Sequence, residues 1–308
     1  MIKLDKLKKG DLIAILNPSF NNGDNTAKEY VKLKELLETR GYKTKFYPSY
    51  FAHEGYLAGS DTVRKTDIND AFSNKKVKAI ICMRGGYGAS RIVDKLDYEV
   101  IKNNPKIITG YSDITVLINA INKMCGFATF HGLVGFSLLG ENYDSINNFW
   151  KMLEEDSKGK EIDVSNTKAE TLVWGSVEGE IVGGNLTLLA TLSGTPYEVD
   201  TTDKILLIED VGEAPYRIDR YLSTLRLSGA LDKAKGFILG YFTNCASNKN
   251  QTVRDLINEY IAPLNKPTIM NFPIGHSFPF VSLPLGVKVR MDATSNKITI
   301  LEEIYNED

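Results

Sequence analysis

Strands and helices are predicted to alternate through the first half of this 308-residue chain. Apolar, β-branched runs such as Leu12–Leu16 and Val77–Met83 are typical of buried strands, and Thr26–Arg40 repeats its apolar residues at helical spacing. Because parallel neighbours must be joined by a crossover, usually a helix, this alternation predicts a mostly parallel sheet flanked by helices. In such a sheet, functional groups collect beyond the carboxyl ends of the strands.

The pattern changes after a polar segment, Asp156–Thr167, beyond which short strands dominate. We therefore predict three parts within an α/β fold. An N-terminal domain with a mostly parallel sheet covers residues 1–158, a linker covers residues 159–168, and a mixed α/β domain rich in short strands covers residues 169–308.

Composition limits the possible functions. The net charge of −2 argues against a nucleic-acid-binding protein, which would carry a basic stripe. No apolar run approaches the ~18 residues of a membrane span, and the first residues lack the pattern of a secretory signal. Cys82, Cys125 and Cys245 form no C-x-x-C pair, which is typical of buried thiols in a reducing cytoplasm and gives no structural zinc site.

A serine follows one predicted strand on a very tight turn. The apolar run Ile107–Thr109 stops at Gly110, and Tyr111-Ser112-Asp113 lead directly into an amphipathic helix that starts at Ile114. Such a turn presents the Ser112 hydroxyl outward, near backbone N–H groups that can stabilise an oxyanion. The segment is not G-x-S-x-G, because Ile114 replaces the second glycine. Alternatively, Ser112 and Asp113 simply cap the helix.

A nucleophilic serine needs a base, and the sequence holds three histidines. His53 lies in a polar loop. His131 follows a predicted strand that we expect beside the strand of the serine. His276 has the best local context, because Gly275 permits a tight turn and Phe278–Phe280 supply apolar surroundings. The residues alone leave both His131 and His276 open.

A carboxylate to orient that base is predicted at another strand end. The predicted strand Lys204–Ile208, whose last four residues are apolar, leads directly into Glu209 and Asp210. Capping is the commoner role of a carboxylate at such a position. We favour Glu209 over Asp210, because it comes first after the strand and its longer side chain can reach an imidazole.

A glycine-rich turn, Arg84–Gly88 (RGGYG), follows a third strand directly. It could cradle a phosphate or donate backbone N–H groups to an oxyanion. The turn matches neither G-x-G-x-x-G nor a P-loop, so a nucleotide site has weak support. A second pair of glycines, in Gly183-Gly184-Asn185, opens a predicted helix and is interpreted as serving close packing.

These motifs together resemble the LD-carboxypeptidase family of serine peptidases, also called muramoyltetrapeptide carboxypeptidases. The matching stretches follow the family's order and span nearly the whole chain. They are RGGYGASR (84–91), NPKIITGYSDIT (104–115), TFHG (129–132), VGGNLTLLATLSGTPYE (182–198), LLIEDVGEAPYRIDR (206–220) and IGHSFPF…LPLGV (274–287).

The resemblance implies a role for each motif. Ser112 would be the nucleophile, Glu209 the acid of the triad and His276 the base. Backbone N–H groups of Asp113 and of Gly86, or of the neighbouring glycine, would form the oxyanion hole.

The order Ser, Glu, His of this family also decides against His131 as the base. In this family the serine lies in the N-terminal domain and the other two triad residues lie in the C-terminal domain, so the site is expected at their interface. The resemblance implies cytoplasmic homodimers without a metal or cofactor. They release the terminal D-alanine of a murein tetrapeptide, at an L-to-D bond, during cell-wall recycling. Arg84 is a candidate for binding the free carboxylate of that substrate.

Two alternatives belong to the same family. Microcin C self-immunity proteins hydrolyse aminoacyl-nucleotides and tend to carry a longer insertion between the serine and the glutamate, with an aromatic residue that stacks on the base. Here that region holds only Trp174 beyond the helix, and the glycine turn reads as in the recycling branch. The other alternative is a catalytically inactive peptide-binding relative, although all three triad positions are occupied.

Overall fold

A computed structural model describes residues 1–140, 142–245 and 251–307. The chain divides into two compact units. Unit 1 comprises residues 1–156, residues 282–284 and the residues from 304 on, and unit 2 comprises residues 157–281 and 285–303. Two short segments of the predicted C-terminal domain therefore belong to unit 1, and the predicted linker belongs to unit 2.

Unit 1 is built on a six-stranded sheet with helices along its crossovers; strands and helices are numbered in chain order. Its strands are β1 (Leu12–Leu16), β2 (Lys43–Phe46), β3 (Val77–Cys82), β4 (Ile107–Gly110), β5 (Thr129–His131) and β12 (Leu283–Leu285). Its helices are α1 (Thr26–Thr39), α2 (Pro48–Phe51), α3 (Asp61–Ser73), α4 (Tyr98–Lys102), α5 (Thr115–Cys125), α6 (Gly135–Leu138) and α7 (Tyr143–Glu154).

The strand order in unit 1 is β12-β5-β4-β3-β1-β2, and the pairs from β2 to β5 are all parallel. This confirms the predicted parallel sheet. Strands β1 and β3 are buried along almost their whole length, which explains why they read as continuous apolar runs. The register pairs Gly110 with His131, so β5 lies beside the strand of the serine, as expected.

The sequence of residues 89–96, between two predicted strands, predicts a helix that the structure does not form. Residues 89–96 form two short 3₁₀ turns, Ala89–Arg91 and Val93–Lys95, in place of a continuous helix. Ile92 separates them with φ −121°, well outside the helical range. Adjacent β-branched residues at 92 and 93 disfavour a helix, and the buried side chains of Ile92 and Val93 favour this irregular path.

Unit 2 is built on an eight-stranded mixed sheet. Its strands are β6 (Glu161–Asp163), β7 (Glu170–Val173), β8 (Ser176–Asn185), β9 (Ile205–Val211), β10 (Gly236–Thr243), β11 (Thr268–Met270), β13 (Lys288–Asp292) and β14 (Lys297–Ile300). Its helices are α8 (Leu186–Thr191), α9 (Pro215–Leu227), α10 (Ala230–Lys233) and α11 (Val253–Tyr260).

The strand order in unit 2 is β6-β14-β13-β8-β9-β10-β11-β7. The four strands β8, β9, β10 and β11 are parallel, and the flanking pairs are antiparallel. Apolar side chains of β9 and β10 pack with those of α8, α9 and α11 into one buried cluster. This arrangement leaves the carboxyl ends of the parallel strands as the natural place for functional groups.

Strand β6 lies inside the segment predicted as a linker. It pairs with β14, which places residues 161–163 at the edge of the second sheet. The polar character of this segment fits an edge strand, since its residues are exposed or half-buried.

None of the helices in the described ranges is both long enough and apolar enough to cross a membrane.

Candidate active site

Ser112 lies immediately after β4, in a strained turn. Its φ is +64°, in the left-handed region that residues other than glycine rarely adopt. The chain enters the turn from the extended Tyr111 and leaves through a 3₁₀ turn, Ser112–Ile114, that leads into α5. Such strain persists only where the surrounding structure enforces it, and it is common at functional sites.

The turn requires a glycine two residues before the serine. A Cβ atom at Gly110 would lie 2.6 Å from the Cγ2 atom of Ile114. Ile114 occupies the position of the second glycine in the hydrolase motif, so the small residue at Gly110 makes room for it. The tight strand-to-helix turn expected from the sequence is therefore present, although its composition differs from G-x-S-x-G.

The glycine-rich turn after β3 packs directly against the serine. A Cβ atom at Gly85 would lie 3.0 Å from the Ser112 Oγ atom and 3.2 Å from the Asp113 backbone nitrogen. A Cβ atom at Gly86 would lie 2.4 Å from the Phe20 ring, and Gly86 itself has φ +119°. The turn can pack this closely against Ser112 at Gly85, and against Phe20 at Gly86, only because these two positions carry no side chain.

Asp113 does not cap the helix, which was the alternative interpretation of this segment. Its carboxylate accepts hydrogen bonds from the Ser19 hydroxyl, at 2.6 Å, and from the Ala89 backbone N–H, at 2.8 Å. In the part of the chain that is described, no side chain caps the start of either the 3₁₀ turn or α5. Asp113 therefore connects the serine turn with two other loops.

A buried arginine connects the same two loops. Arg64 on α3 donates from Nη1 to the carbonyl oxygens of Pro18, at 2.7 Å, and of Gly88, at 2.8 Å. Burial raises the pKa of Asp113, whereas the Ser19 and Ala89 hydrogen bonds and the Arg64 charge oppose that rise. Sequence reasoning missed Arg64, because an arginine in a mostly polar helix is expected to face solvent.

In unit 2, Glu209 and His276 form a hydrogen-bonded pair. The distance from His276 Nδ1 to Glu209 Oε2 is 2.8 Å. The Glu209 side chain is fully buried near the carboxyl end of β9, and the His276 side chain is 17% exposed. A carboxylate oxygen accepts in this hydrogen bond, so the pair favours the tautomer of His276 with the proton on Nδ1 and the lone pair on Nε2.

Two glycines make room for this pair. A Cβ atom at Gly275, where φ is +115°, would lie 2.8 Å from Glu209 Oε2. A Cβ atom at Gly240 would lie 2.6 Å from the Ile274 carbonyl oxygen and 3.0 Å from the Glu209 Cβ atom. Gly240 lies where the register between β9 and β10 shifts, so the sheet bulges beside the glutamate.

The loop that carries His276 is also fixed by hydrogen bonds. Tyr241 N donates to the Ile274 carbonyl oxygen at 2.9 Å, and the hydroxyls of Thr243 and Ser277 lie 2.7 Å apart. Hydrogen bonds of residues on either side of His276 in the sequence therefore fix the loop that carries the imidazole. A base that must keep one orientation needs this kind of support.

Asp210, the less favoured candidate for the carboxylate that orients the base, has a different environment from Glu209. Its carboxylate accepts hydrogen bonds from Asn185 Nδ2 at 3.0 Å and from the Thr187 hydroxyl at 2.8 Å, at the start of α8. Burial raises the pKa of Asp210, and the adjacent charge of Glu209 adds to that rise. Close packing at Gly183 fits the prediction for that glycine pair, because a Cβ atom there would lie 2.2 Å from the Leu207 carbonyl oxygen.

The other predicted residues lie as follows. His131 is buried at the end of β5, with its ring centroid 6.1 Å from that of Tyr111, and His53 is exposed. Arg84 is half-buried and donates from Nη1 to the Asn21 carbonyl oxygen at 3.2 Å.

A cavity of about 930 Å³ lies in unit 2, at the carboxyl ends of β10 and β11. Thr243, Asn271 and Ser277 contribute polar groups to its lining, and Tyr241 and Phe278 contribute aromatic rings. Ser277 directly follows His276, so the cavity adjoins the imidazole along the chain. Its size is within the range of small-molecule and peptide sites.

Comparisons with known proteins agree with this description. Residues 13–132 match the LD-carboxypeptidase N-terminal domain, and residues 178–291 match the LD-carboxypeptidase C-terminal domain. A probable murein peptide carboxypeptidase of Bacillus subtilis (strain 168) is 35% identical over 301 residues, which cover 96% of this chain and 93% of that protein.

Solved structures of two kinds have the same fold. The microcin C7 self-immunity protein MccF, in an inactive mutant without ligand, superimposes with a TM-score of 0.90 at 26% identity, covering 99% of this chain and all of that one. The muramoyltetrapeptide carboxypeptidase from Oxalobacter formigenes gives a TM-score of 0.81 at 29% identity, covering 96% and 99% of the two chains. This chain belongs to the LD-carboxypeptidase family of hydrolases.

Proposed function

We propose that the protein is a serine carboxypeptidase that releases the terminal D-alanine of a murein tetrapeptide at an L-to-D bond. The observation that carries this proposal is the buried Glu209–His276 hydrogen bond of 2.8 Å, together with a serine in a strained turn. The similarity to a relative named as a murein peptide carboxypeptidase supports the substrate class. We further propose that it acts in cell-wall recycling as a cytoplasmic homodimer.

The proposed reaction begins at Ser112. His276 takes the hydroxyl proton while Oγ attacks the carbonyl carbon that precedes the terminal residue. Backbone N–H groups of Asp113 and Gly86, with Gly85 as the alternative to Gly86, stabilise the oxyanion. The intermediate then expels the amine of D-alanine, which takes the proton from His276. Water, deprotonated by the same imidazole, attacks the acyl-enzyme, and His276 then returns that proton to Ser112 Oγ as the ester bond breaks.

Glu209 has two tasks in this scheme. Its hydrogen bond to Nδ1 keeps the basic nitrogen at Nε2, and its charge stabilises the imidazolium that forms as the proton moves. Because the carboxylate is fully buried, water screens this interaction little, and the stabilisation is larger than it would be at a surface.

Trp174 is the aromatic residue that the aminoacyl-nucleotide alternative would require to stack on a base. Strand β7 runs antiparallel to β11, with Val173 beside Thr268 and Glu170 beside Met270. Trp174, which is 69% exposed, therefore lies beside the start of β11, whereas His276 follows the end of β11.

Mass spectrometry of digests tests the proposed substrate. Purified tetrapeptides carrying lysine or diaminopimelate at the third position would be incubated beside an aminoacyl-nucleotide analogue. We expect loss of one alanine from at least one tetrapeptide, and no loss from a matched tetrapeptide ending in L-alanine. Hydrolysis of the nucleotide analogue alone would refute the murein assignment and support the microcin-type alternative.

Arg84 is proposed to bind the terminal carboxylate of the substrate. A hydrogen bond to a charged group contributes about 1.5–3 kcal/mol, so Arg84→Ala should raise KM for the free tetrapeptide roughly 10- to 100-fold. Cleavage of the C-terminally amidated tetrapeptide, which lacks that charge, should change much less. The measurement is steady-state kinetics of both variants on both substrates.

Arg91→Ala is the matched control for Arg84. Arg91 follows the same glycine turn, but its guanidinium pairs with Asp61 at 2.9 Å. An equal loss on both substrates for Arg84→Ala would contradict the assignment, as would an equal effect of Arg91→Ala.

A further inference from the structure

The Asp113 carboxylate joins three segments of unit 1 at one oxygen atom. Oδ2 accepts from the Ser19 hydroxyl, in the loop after β1, and from the Ala89 N–H, directly after the glycine-rich turn. Asp113 itself follows Ser112. Asp113 is 1% exposed and Ser19 is fully buried, so water does not compete for these hydrogen bonds.

Arg64 repeats the same connection one residue earlier in each loop. Its Nη1 atom bonds the carbonyl oxygens of Pro18 and Gly88, next to Ser19 and Ala89 in the chain. Arg64 is fully buried, and its positive charge offsets the buried charge of Asp113. The loop after β1 and the glycine-rich turn are therefore fastened to each other twice, by one anion and one cation.

This fastening bears on the proposed oxyanion hole. One proposed donor is the Asp113 N–H, and the other lies in the turn where a Cβ atom at Gly85 would lie 3.0 Å from Ser112 Oγ and 3.2 Å from Asp113 N. The two donors come from segments far apart in sequence. The distance between the two donor N–H groups is therefore set by tertiary contacts. The hydrogen bond from Ala89 N–H to the Asp113 carboxylate is one such contact, and it links the two segments directly.

We infer that Asp113 is a positioning residue. Its carboxylate holds the glycine-rich turn against the serine turn, so that both oxyanion donors are directed at the same oxyanion. The inference rests on the proposed function for its serine chemistry. The carboxylate does not touch the substrate in this scheme. It acts through the Ala89 and Ser19 hydrogen bonds, and its loss would be felt in the transition state, where the oxyanion exists.

The test compares Asp113→Ala, Asp113→Asn and Ser19→Ala. Removing a single oxyanion donor from a serine hydrolase costs about 10²–10³ in kcat. We expect a loss in that range for Asp113→Ala with KM nearly unchanged. Asp113→Asn keeps an oxygen acceptor and should recover part of the rate. Ser19→Ala removes one of the two hydrogen bonds and should cause a smaller loss of kcat, again with KM nearly unchanged. It replaces Asp113→Ala as the test if that variant fails to fold.

Asp97→Ala is the control for a carboxylate with a merely structural role. Asp97 caps α4 in the same unit by accepting from Val100 N at 2.9 Å. Its removal should lower the melting temperature and leave kcat unchanged. A folded Asp113→Ala protein with wild-type kcat would overturn the inference, and so would a loss that appears only in KM.

A second readout separates this inference from the choice of substrate. The rate at which a serine-reactive phosphonate labels Ser112 depends on the same oxyanion donors, and it should fall in parallel with kcat across the variants. If the wild-type protein is labelled but releases no D-alanine, the proposed substrate is wrong, and the labelling rates of the variants still test the positioning role of Asp113. If the wild-type protein is neither labelled nor active, the serine chemistry and this inference fail together.

Discussion

Ser112→Ala is expected to lower kcat for D-alanine release by about 10⁴-fold or more, because the substitution removes the only atom proposed to attack the carbonyl. A 10⁴-fold loss corresponds to about 5.5 kcal/mol of transition-state stabilisation. The residual rate would come from binding and from the oxyanion donors alone. Single-turnover release of D-alanine, followed by mass spectrometry, measures the change over this range.

The stability of the variant serves as its control. Alanine keeps a Cβ atom at a position with φ +64°, so the strained turn remains and the melting temperature should stay close to that of the wild type. KM should change little, since the hydroxyl contributes mainly in the transition state. A Ser112→Ala protein that released D-alanine at a near wild-type rate would refute the nucleophile assignment.

Glu209→Gln is expected to lower kcat by about 10⁴-fold, close to the effect of losing the serine. The amide keeps the volume of the side chain but removes the charge, and its NH₂ group favours the wrong tautomer of His276. Neutralising the corresponding carboxylate of a serine protease has an effect of this size. The measurement is kcat on the tetrapeptide, with the labelling rate of Ser112 by a phosphonate as a second readout.

Glu178→Gln provides the matched control in the same unit. Glu178 is partly exposed on β8 and pairs with Arg290 at 2.7 Å, so its neutralisation should leave kcat unchanged. Surface ion pairs of this kind contribute about 0–1 kcal/mol to stability. If Glu209→Gln retained wild-type activity while remaining folded, the buried pair would have no catalytic role.

Local sequence patterns predicted the parts of the site that local rules determine. The segment around Ser112 combines a buried strand, a glycine and an amphipathic helix, and each of these depends on neighbouring residues. The preference for Glu209 over Asp210 rested on the reach of a longer side chain after a buried strand. In the structure, Glu209 is hydrogen-bonded to His276, whereas Asp210 accepts a hydrogen bond from Thr187 at the start of α8.

Other features depend on contacts that no local pattern encodes. Arg64 lies 49 positions before Asp113 in the sequence and in a helix that reads as polar, yet it is fully buried. The strand at Glu161–Asp163 forms because it can pair with β14 at the edge of the sheet, although its own residues suggest a linker. By contrast, helix α11 follows a capping box of Thr252 and Asp255, which is a local pattern.

The late position of β12 in the chain affects how the protein is made. The first sheet has β12 as its edge strand beside β5, and the Tyr305 hydroxyl bonds the Met152 carbonyl oxygen at 2.6 Å. During synthesis, the first half of the chain emerges from the ribosome long before these residues do. Until then β5 has an unpaired edge, which can recruit another nascent chain. A fragment that ends before residue 283 would keep this edge of β5 unpaired, which favours association with other chains.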